Sequence, residues 1–218
     1  MIPLSNIPKQ IGSGIWVDPR VNFGKNVTIG HCSCIGYPED GETECKIMDD
    51  VNIGAFCVVS MGVTLEKGVI LEHYCRVDNK TTIGEKTELL YGSRVHFNVK
   101  IGKNCYIGGN CPNDTIIGNN VKHFGRLVHI PGGGPWDETT DPAPVIEDDV
   151  FIGANALVIG GVRVRKGAQI GANAIVTGNG LEIGEGAIIG AGERVRKENV
   201  PSHAKFYNGK IHFDDKKK

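Results

Sequence analysis

Aromatic residues are scarce in this chain, 6 % of 218 residues with only two tryptophans, so a core built on large rings is not expected. An excess of either charge is lacking too: 24 Lys and Arg stand against 25 Asp and Glu, a net charge of -1. That balance leaves no electrostatic footprint for nucleic acid or an anionic membrane. Long apolar runs are missing. The longest, "VFIGANALVIGGV" from Val150, is glycine-rich and falls well short of the ~20 residues that cross a bilayer. The opening "MIPLSNIPKQ" has no charged leader followed by an apolar stretch, so no secretory signal is expected and the cytoplasm is the default compartment. Seven cysteines, an odd number, agree with a reducing compartment.

What the chain does have is glycine, 31 residues of it, and a beat of six. Stepping by six from Ile11 to Ile107 meets Ile, Leu or Val at every step except Phe23 and Gly41. Gly41 lies in the polar "GYPEDGETECK", an excursion over 36–46 that replaces one repeat. The beat resumes at Ile146, Ile152, Val158, Val164, Ile170 and Val176. One extra residue in "TGNGLE" then shifts it to Ile183, Ile189 and Val195. Four positions after most of these come small or β-branched residues: Val27, Ser33, Cys45, Cys57, Thr81, Thr87, Cys105 and their like. Positions i and i+4 of an extended chain share a face. Glycine commonly follows the aliphatic residue, where a chain that turns often needs a residue without Cβ. Neither an amphipathic helix nor a hairpin sheet has this period. A coil of short parallel strands has it, with six residues per face and eighteen per turn, each repeat relying on its neighbours for a core.

These features resemble the hexapeptide-repeat proteins, whose unit is an aliphatic residue, Gly, two variable residues, a small residue and a variable one. The resemblance implies an all-β, left-handed parallel β-helix over residues 1–200. One protruding loop would span 130–144, and a short tail 201–218. It also supplies the handedness, since ordinary parallel crossovers are right-handed.

Five of the seven cysteines, Cys45, Cys57, Cys75, Cys105 and Cys111, occupy the small position, where thiols act as compact apolar fillers. Cys32 and Cys34 in "HCSC" have no second ligand pair nearby, so no metal site is expected. Among the seven histidines, His123 and His129 in "VKHFGRLVHIPGGG" differ from the rest. Counted from Ile117, both fall on positions that elsewhere hold aliphatic residues, with the phase after "CPNDT" open by a residue or two. Titratable rings at such places conflict with the local rule, and conflicts of that kind mark functional sites. A core histidine is the more ordinary reading of His123.

The beat breaks at "LVHIPGGGPWDETTDPAP", residues 127–144. This arrangement resembles the maltose, galactoside and xenobiotic acetyltransferase branch of the family, in which a histidine ends one coil and a loop leaves the rod. The resemblance implies a CoA-dependent acyltransferase with His129 as general base. Acetyl-CoA would be the acyl donor, a small sugar or amino sugar the acceptor, and a homotrimer would complete the site. An imidazole suits removal of a proton from an attacking hydroxyl or amine near neutral pH. The backbone amides of "PGGGP" could receive the oxyanion. Trp136 offers a flat wall to the acceptor. Asp137, Glu138 and Asp141 could bind the acceptor or fix the histidine tautomer. The pairs Gly153-Ala154, Gly171-Ala172 and Gly190-Ala191 recur at eighteen and nineteen residues and would stack on one edge. By the resemblance that edge carries pantetheine, and Arg196 and Lys197 in "ERVRKENVP" hold the CoA phosphates. The family's closing "GxPA" is replaced by "KFYNGKIHF", in which Asn208-Gly209 predicts a small hairpin.

Three other readings compete. A γ-class carbonic anhydrase needs histidines two coils apart, but two coils before His123 and His129 stand Thr87 and Ser93. A non-catalytic trimeric scaffold has no use for CoA. The tetrahydrodipicolinate acyltransferases, some of which rely on a carboxylate, also resemble "VIEDDVFIGANALVIGGVRV", with Glu147 as a base.

Overall fold

The computed structural model describes residues 10–38, 44–130 and 141–213. Every regular element among them is a strand of two to four residues. No helix is long and apolar enough to cross a membrane. The chain forms two compact units, Met1–Gly109 and Asn110–Lys218. Both are parallel β-helices, as the period of six requires.

In the first unit three parallel sheets make the faces. The first face holds Thr28–Ile29, Asn52–Ile53, Ile70–Leu71 and Glu88–Leu89. The second holds Cys34–Tyr37, Val58–Ser60, Arg76–Val77 and Arg94–Val95. The third holds Val21–Phe23, Cys45–Ile47, Thr64–Leu65 and Thr82–Ile83. Partners are eighteen residues apart, as in Ile70 with Glu88 and Thr82 with Lys100. Across the 36–46 excursion they are twenty-four apart, as in Thr28 with Asn52, so one whole repeat leaves the coil there.

The aliphatic column fills the interior: Ile35, Ile53, Leu65, Val77, Leu89 and Ile107 are all buried. Burying one such side chain stabilises by roughly 1.5–3 kcal/mol. The i+4 column is buried as well, Cys45, Cys57, Cys75, Cys105 and Cys111 included, and none of these five thiols is in a disulfide. Several hydroxyls and thiols at that position donate to a carbonyl one coil on. Thr81 Oγ1 donates to the His96 carbonyl at 2.8 Å, Thr87 Oγ1 to Gly102 at 2.8 Å, and Cys57 Sγ to Glu72 at 3.0 Å. These bonds satisfy turn carbonyls that the short strands leave unpaired.

The glycine after the aliphatic residue has a reason other than turning. A Cβ on Gly30 would stand 2.5 Å from the Ala55 nitrogen, and one on Gly153 2.6 Å from that of Ala172. The left-handed backbone falls two residues later, on Asn26, Asp50, Asn104, Asn155 and Asn173, with φ of 57–61°. Asn and Asp tolerate that region best after glycine. Glycine after the aliphatic residue serves the close stacking of coils, and the left-handed turn two residues later is taken by Asn and Asp, by other glycines such as Gly92 and Gly192, and by Phe56 and Tyr74.

The second unit repeats the plan. Its first face contains Lys122–His123, Phe151–Ile152, Gln169–Ile170 and Ile188–Ile189. Its second contains Arg126–Val128, Leu157–Ile159, Ile175–Thr177 and Arg194–Val195. Its third contains Ile116–Ile117, Val145–Ile146, Arg163–Val164 and Glu182–Ile183. The extra residue of "TGNGLE" is visible as a nineteen-residue step from Arg163 to Glu182. After the last coil Lys205–Tyr207 joins Ile188–Ile189 in parallel, and Lys210–His212 folds back on it through Asn208-Gly209.

Candidate functional site

The second unit departs furthest from its own regularity between Asn110 and Leu157. Asn110 pairs with Arg126, sixteen residues on, so this turn is two residues short. Gly125 makes the short turn possible, because any Cβ there would lie 2.4 Å from the Ala156 carbonyl oxygen. Arg126 then pairs with Leu157, thirty-one residues on, because the 130–144 loop leaves the coil in between. The count from Ile117 therefore holds for His123 and fails for His129. His123 points inward opposite Ile152, but Leu127 takes the next interior place opposite Val158. His129 sits two residues beyond it, half-buried, at the foot of the loop.

His123 is fully buried, and desolvation pushes its pKa down to about 4 against a smaller opposing effect of the Asn110 backbone. It is a neutral core residue, a poor candidate for binding at the surface.

At His129 both feet of the loop close on one another. The imidazole Nδ1 lies 2.6 Å from the backbone carbonyl oxygen of Asp141, where the chain returns. A carbonyl can only accept, so Nδ1 carries the hydrogen and the neutral ring keeps its lone pair on Nε2. Nε2 is shielded from solvent. Asp141, one of the three acidic residues expected near the ring, meets Nδ1 through its backbone carbonyl. Its side chain is buried, 3 % exposed. Trp136, Asp137 and Glu138 lie outside the described residues.

Two glycines one coil on receive these feet. A Cβ on Gly160 would strike Ile130 Cδ1 at 2.7 Å, and one on Gly161 would press on Pro142 Cγ at 3.0 Å. Asn179 Oδ1, from the following coil, accepts the Gly161 N–H at 3.1 Å. Nothing in the sequence singled out Asn179 or the glycine pair as supports of the loop. The double glycine Gly160-Gly161 was visible, but Gly108-Gly109 shares it, so residue type alone did not mark the pair.

The glycine-alanine row forms as expected. The Cβ of Gly171 would meet the Ala191 nitrogen at 2.5 Å, and the Asn173 and Gly192 amides donate to the Ala154 and Ala172 carbonyls at 2.9 Å. Ala154, Ala172 and Ala191 therefore stack on the edge between first and second faces. Arg196 and Lys197 stand elsewhere. They follow Val195 at the far end of the second face, the edge His129 and Gly160 also occupy. One chain therefore holds His129, Arg196 and Lys197 on one edge and the alanines on the other, on the order of 15 Å apart across the face. Between them the face is apolar and part-exposed, with Leu157, Ile159 and Ile175 outward.

Glu147 lies at the edge after the third face. Burial pushes its carboxyl up, but Arg165 at 2.9 Å, the Lys166 amide at 3.1 Å and Arg163 at 3.3 Å together hold it below the usual range. Arg165 continues to Glu182. A carboxylate tied into such a network is a weak proton acceptor. Among the described residues no group of three or more His, Cys, Asp or Glu could hold a metal ion.

The chain matches the model of the hexapeptide repeat of succinyl-transferase over residues 46–73, 98–122, 145–178 and 168–193. A bifunctional protein GlmU of Thermotoga petrophila is 29 % identical over 171 residues, 74 % of this chain and 34 % of that protein. A 2,3,4,5-tetrahydropyridine-2,6-dicarboxylate N-acetyltransferase of Staphylococcus aureus is 45 % identical over 69 residues, 30 % of this chain and 28 % of the relative. The chain thus spans about a third of the length of the curated relatives it matches. Among solved structures, an Arabidopsis UDP-N-acetylglucosamine acyltransferase aligns with a TM-score of 0.45 and 17 % identity, over 88 % of this chain and 69 % of that one.

Proposed function

The chain is a hexapeptide-repeat protein, and from that premise we propose that it is an acyltransferase using acyl-CoA, acetyl-CoA in the first instance. The acceptor is a hydroxyl or amine of a small molecule such as a sugar or amino sugar. The observation that carries this reading is the Nδ1–H bond from His129 to the Asp141 carbonyl, which leaves Nε2 as the basic nitrogen of the neutral ring. In the proposed reaction Nε2 takes the proton as the acceptor oxygen or nitrogen attacks the thioester carbon. The tetrahedral oxyanion collapses, the carbon–sulfur bond breaks, and the CoA sulfur leaves with the proton returned by the imidazolium. The amides of "PGGGP" are the proposed oxyanion donors. Trp136, Asp137, Glu138 and Asp141 are the proposed acceptor contacts.

The matched repeat model is named for a succinyl-transferase and a matched relative for an N-acetyltransferase, which supports acyl transfer without choosing the acyl group. Support for the donor site comes from the bare edge at Ala154, Ala172 and Ala191, where an extended chain can lie against backbone amides. Because that edge and the histidine edge bound opposite sides of one face, we assign the complete site to a homotrimer. In it the alanine edge of one copy meets the His129 edge of the next, bringing Arg196 and Lys197 of that next copy to the same groove. A thiol-release assay with acetyl-CoA against amino sugars, sugars and amino acids tests the reaction. Release that depends on acceptor and disappears in His129→Ala supports it. Absence of release, together with absence of CoA binding by calorimetry, leaves a scaffold.

A further inference from the structure

The segment that replaces the family's usual closing phrase carries a feature that the acyl-transfer reading does not use. In the hairpin of Lys205–Tyr207 and Lys210–His212, Lys205 stands opposite His212, Phe206 opposite Ile211 and Tyr207 opposite Lys210. Opposed residues share a face of the ladder. Phe206 is 5 % exposed and turns to the core, so Lys205, Tyr207, Lys210 and His212 share the outer face. There the Tyr207 and His212 rings stack at 3.8 Å with planes 11° apart. The His212 Nε2 lies 3.3 Å from the Tyr207 carbonyl, which can only accept, so the imidazole is held in place. Tyr207 is still 42 % exposed.

The position of this pair in the coil is specific. Ile189 pairs with Phe206, and the Gly190 amide donates to the Phe206 carbonyl at 2.9 Å. Tyr207 is therefore next in the column Gly153, Gly171, Gly190. Each of the first two glycines lacks room for a Cβ because the following coil's alanine nitrogen lies within 2.6 Å. The turn Asn208-Gly209, left-handed at both residues (φ 51° and 68°), is pinned by Glu193, which accepts both amides at 2.7 and 3.1 Å. The Ala154–Ala172–Ala191 edge thus ends on an ordered aromatic pair between two lysines. Three coil steps of ~4.8 Å separate Ala154 from it, about 14 Å, a length an extended pantetheine arm can span.

We propose that Tyr207, backed by His212, stacks the adenine ring of the acyl-CoA donor, with Lys210 beside it on the ribose phosphate. This rests on the acyl-CoA reading. Purine stacking on an aromatic ring is sequence-tolerant and substantial, and a ring already fixed by a neighbour loses little freedom on binding. An ammonium across the ladder suits a phosphate as a point charge.

Calorimetry of the full chain with CoA, 3′-dephospho-CoA and pantetheine tests it. Tyr207→Ala should weaken CoA and dephospho-CoA by about tenfold, within the range for one lost stack, and leave pantetheine unchanged. Tyr207→Phe, which keeps the ring and the hairpin, should bind CoA like the wild type. Lys210→Ala should weaken CoA more than dephospho-CoA. If Tyr207→Ala binds CoA as tightly as wild type with its melting temperature intact, the adenine lies elsewhere while the donor reading stands. Equal weakening of all three ligands would overturn the adenine assignment in favour of a general collapse of the edge. Failure of the wild type to bind CoA or pantetheine overturns both readings.

Discussion

The corner after the first face is built on one backbone plan in both units and carries opposite side chains. In the first unit it presents His31, Ala55, His73 and Tyr91, followed by Cys32, Phe56, Tyr74 and Gly92. Phe56 and Tyr74 stack at 4.9 Å although both have φ near 60°, and Tyr91 adds a third ring at 5.3 Å. In the second unit the same positions hold Ala154, Ala172 and Ala191, then Asn155, Asn173 and Gly192, with φ of 57–73°. A corner that tolerates phenylalanine, tyrosine and histidine does not require alanine. The fold therefore does not explain the bare edge of the second unit, which supports the proposed donor groove.

The largest expected effect lies at the other edge of the same face. His129→Ala should lower kcat about 10²–10⁴-fold, the usual range for a positioned proton acceptor. Melting temperature and CoA affinity should hardly move, because the alanine edge is built by later coils. If turnover survives in His129→Ala and is lost instead in Glu147→Ala, the base is a carboxylate despite the arginines that hold Glu147.

Next in size is a direct exchange between the two corners. Ala172→Trp should weaken CoA about a hundredfold, the loss of ~2.7 kcal/mol of binding. Ala55→Trp, at the matching place between His31 and His73, should leave CoA affinity as it was. Both chains should melt normally, since Tyr91 already sits at such a position. Equal affinity in the Ala172 variant would remove the bare edge from the donor site.

Much of this was legible in the sequence, and the failures have physical causes. The interior column, the small column and the looped-out repeat at 36–46 follow from spacing alone, because each face takes six residues whatever their identity. The place of His129 did not follow, because the turn before it is two residues short. Only Gly125, pressed against the Ala156 carbonyl, signals that. The separation of Arg196 from the alanines could have been found: Gly190 and Arg196 are six apart, one face, hence adjacent corners. That Asp141 holds the histidine by its carbonyl could not, because backbone direction at a loop foot leaves no trace in residue type.

A pH titration tests the burial of His123. His123 has a pKa near 4 in the folded chain against about 6.5 unfolded, so the unfolded state binds the proton first. Its neutral form costs nothing above pH 6.5. Stability should fall as pH drops from about 6.5 to 4, by up to about 3 kcal/mol. His123→Leu should flatten that window in denaturant melts, while the acid loss from Asp78 and Glu147, both held low, remains at lower pH. An unchanged profile in His123→Leu would place the ring's protonation outside the folding equilibrium.

The smallest effect bears most directly on the comparison of corners. Tyr74→Asn would replace an aromatic ring in the left-handed region by the residue that the second unit uses there. Relief of backbone cost, about 1 kcal/mol, should offset loss of the stack with Phe56, about 0.5–1.5 kcal/mol. The expected change is within ~0.5 kcal/mol, one or two degrees in Tm for a chain of this size. A loss above about 2 kcal/mol would mean that the first unit's rings hold its coils together. Side chains at this corner would then be structural in one unit, and the bareness of the other would need a packing explanation before a ligand is invoked. A neutral result leaves the corner free of structural demand in both units and the alanines to be explained by what lies against them.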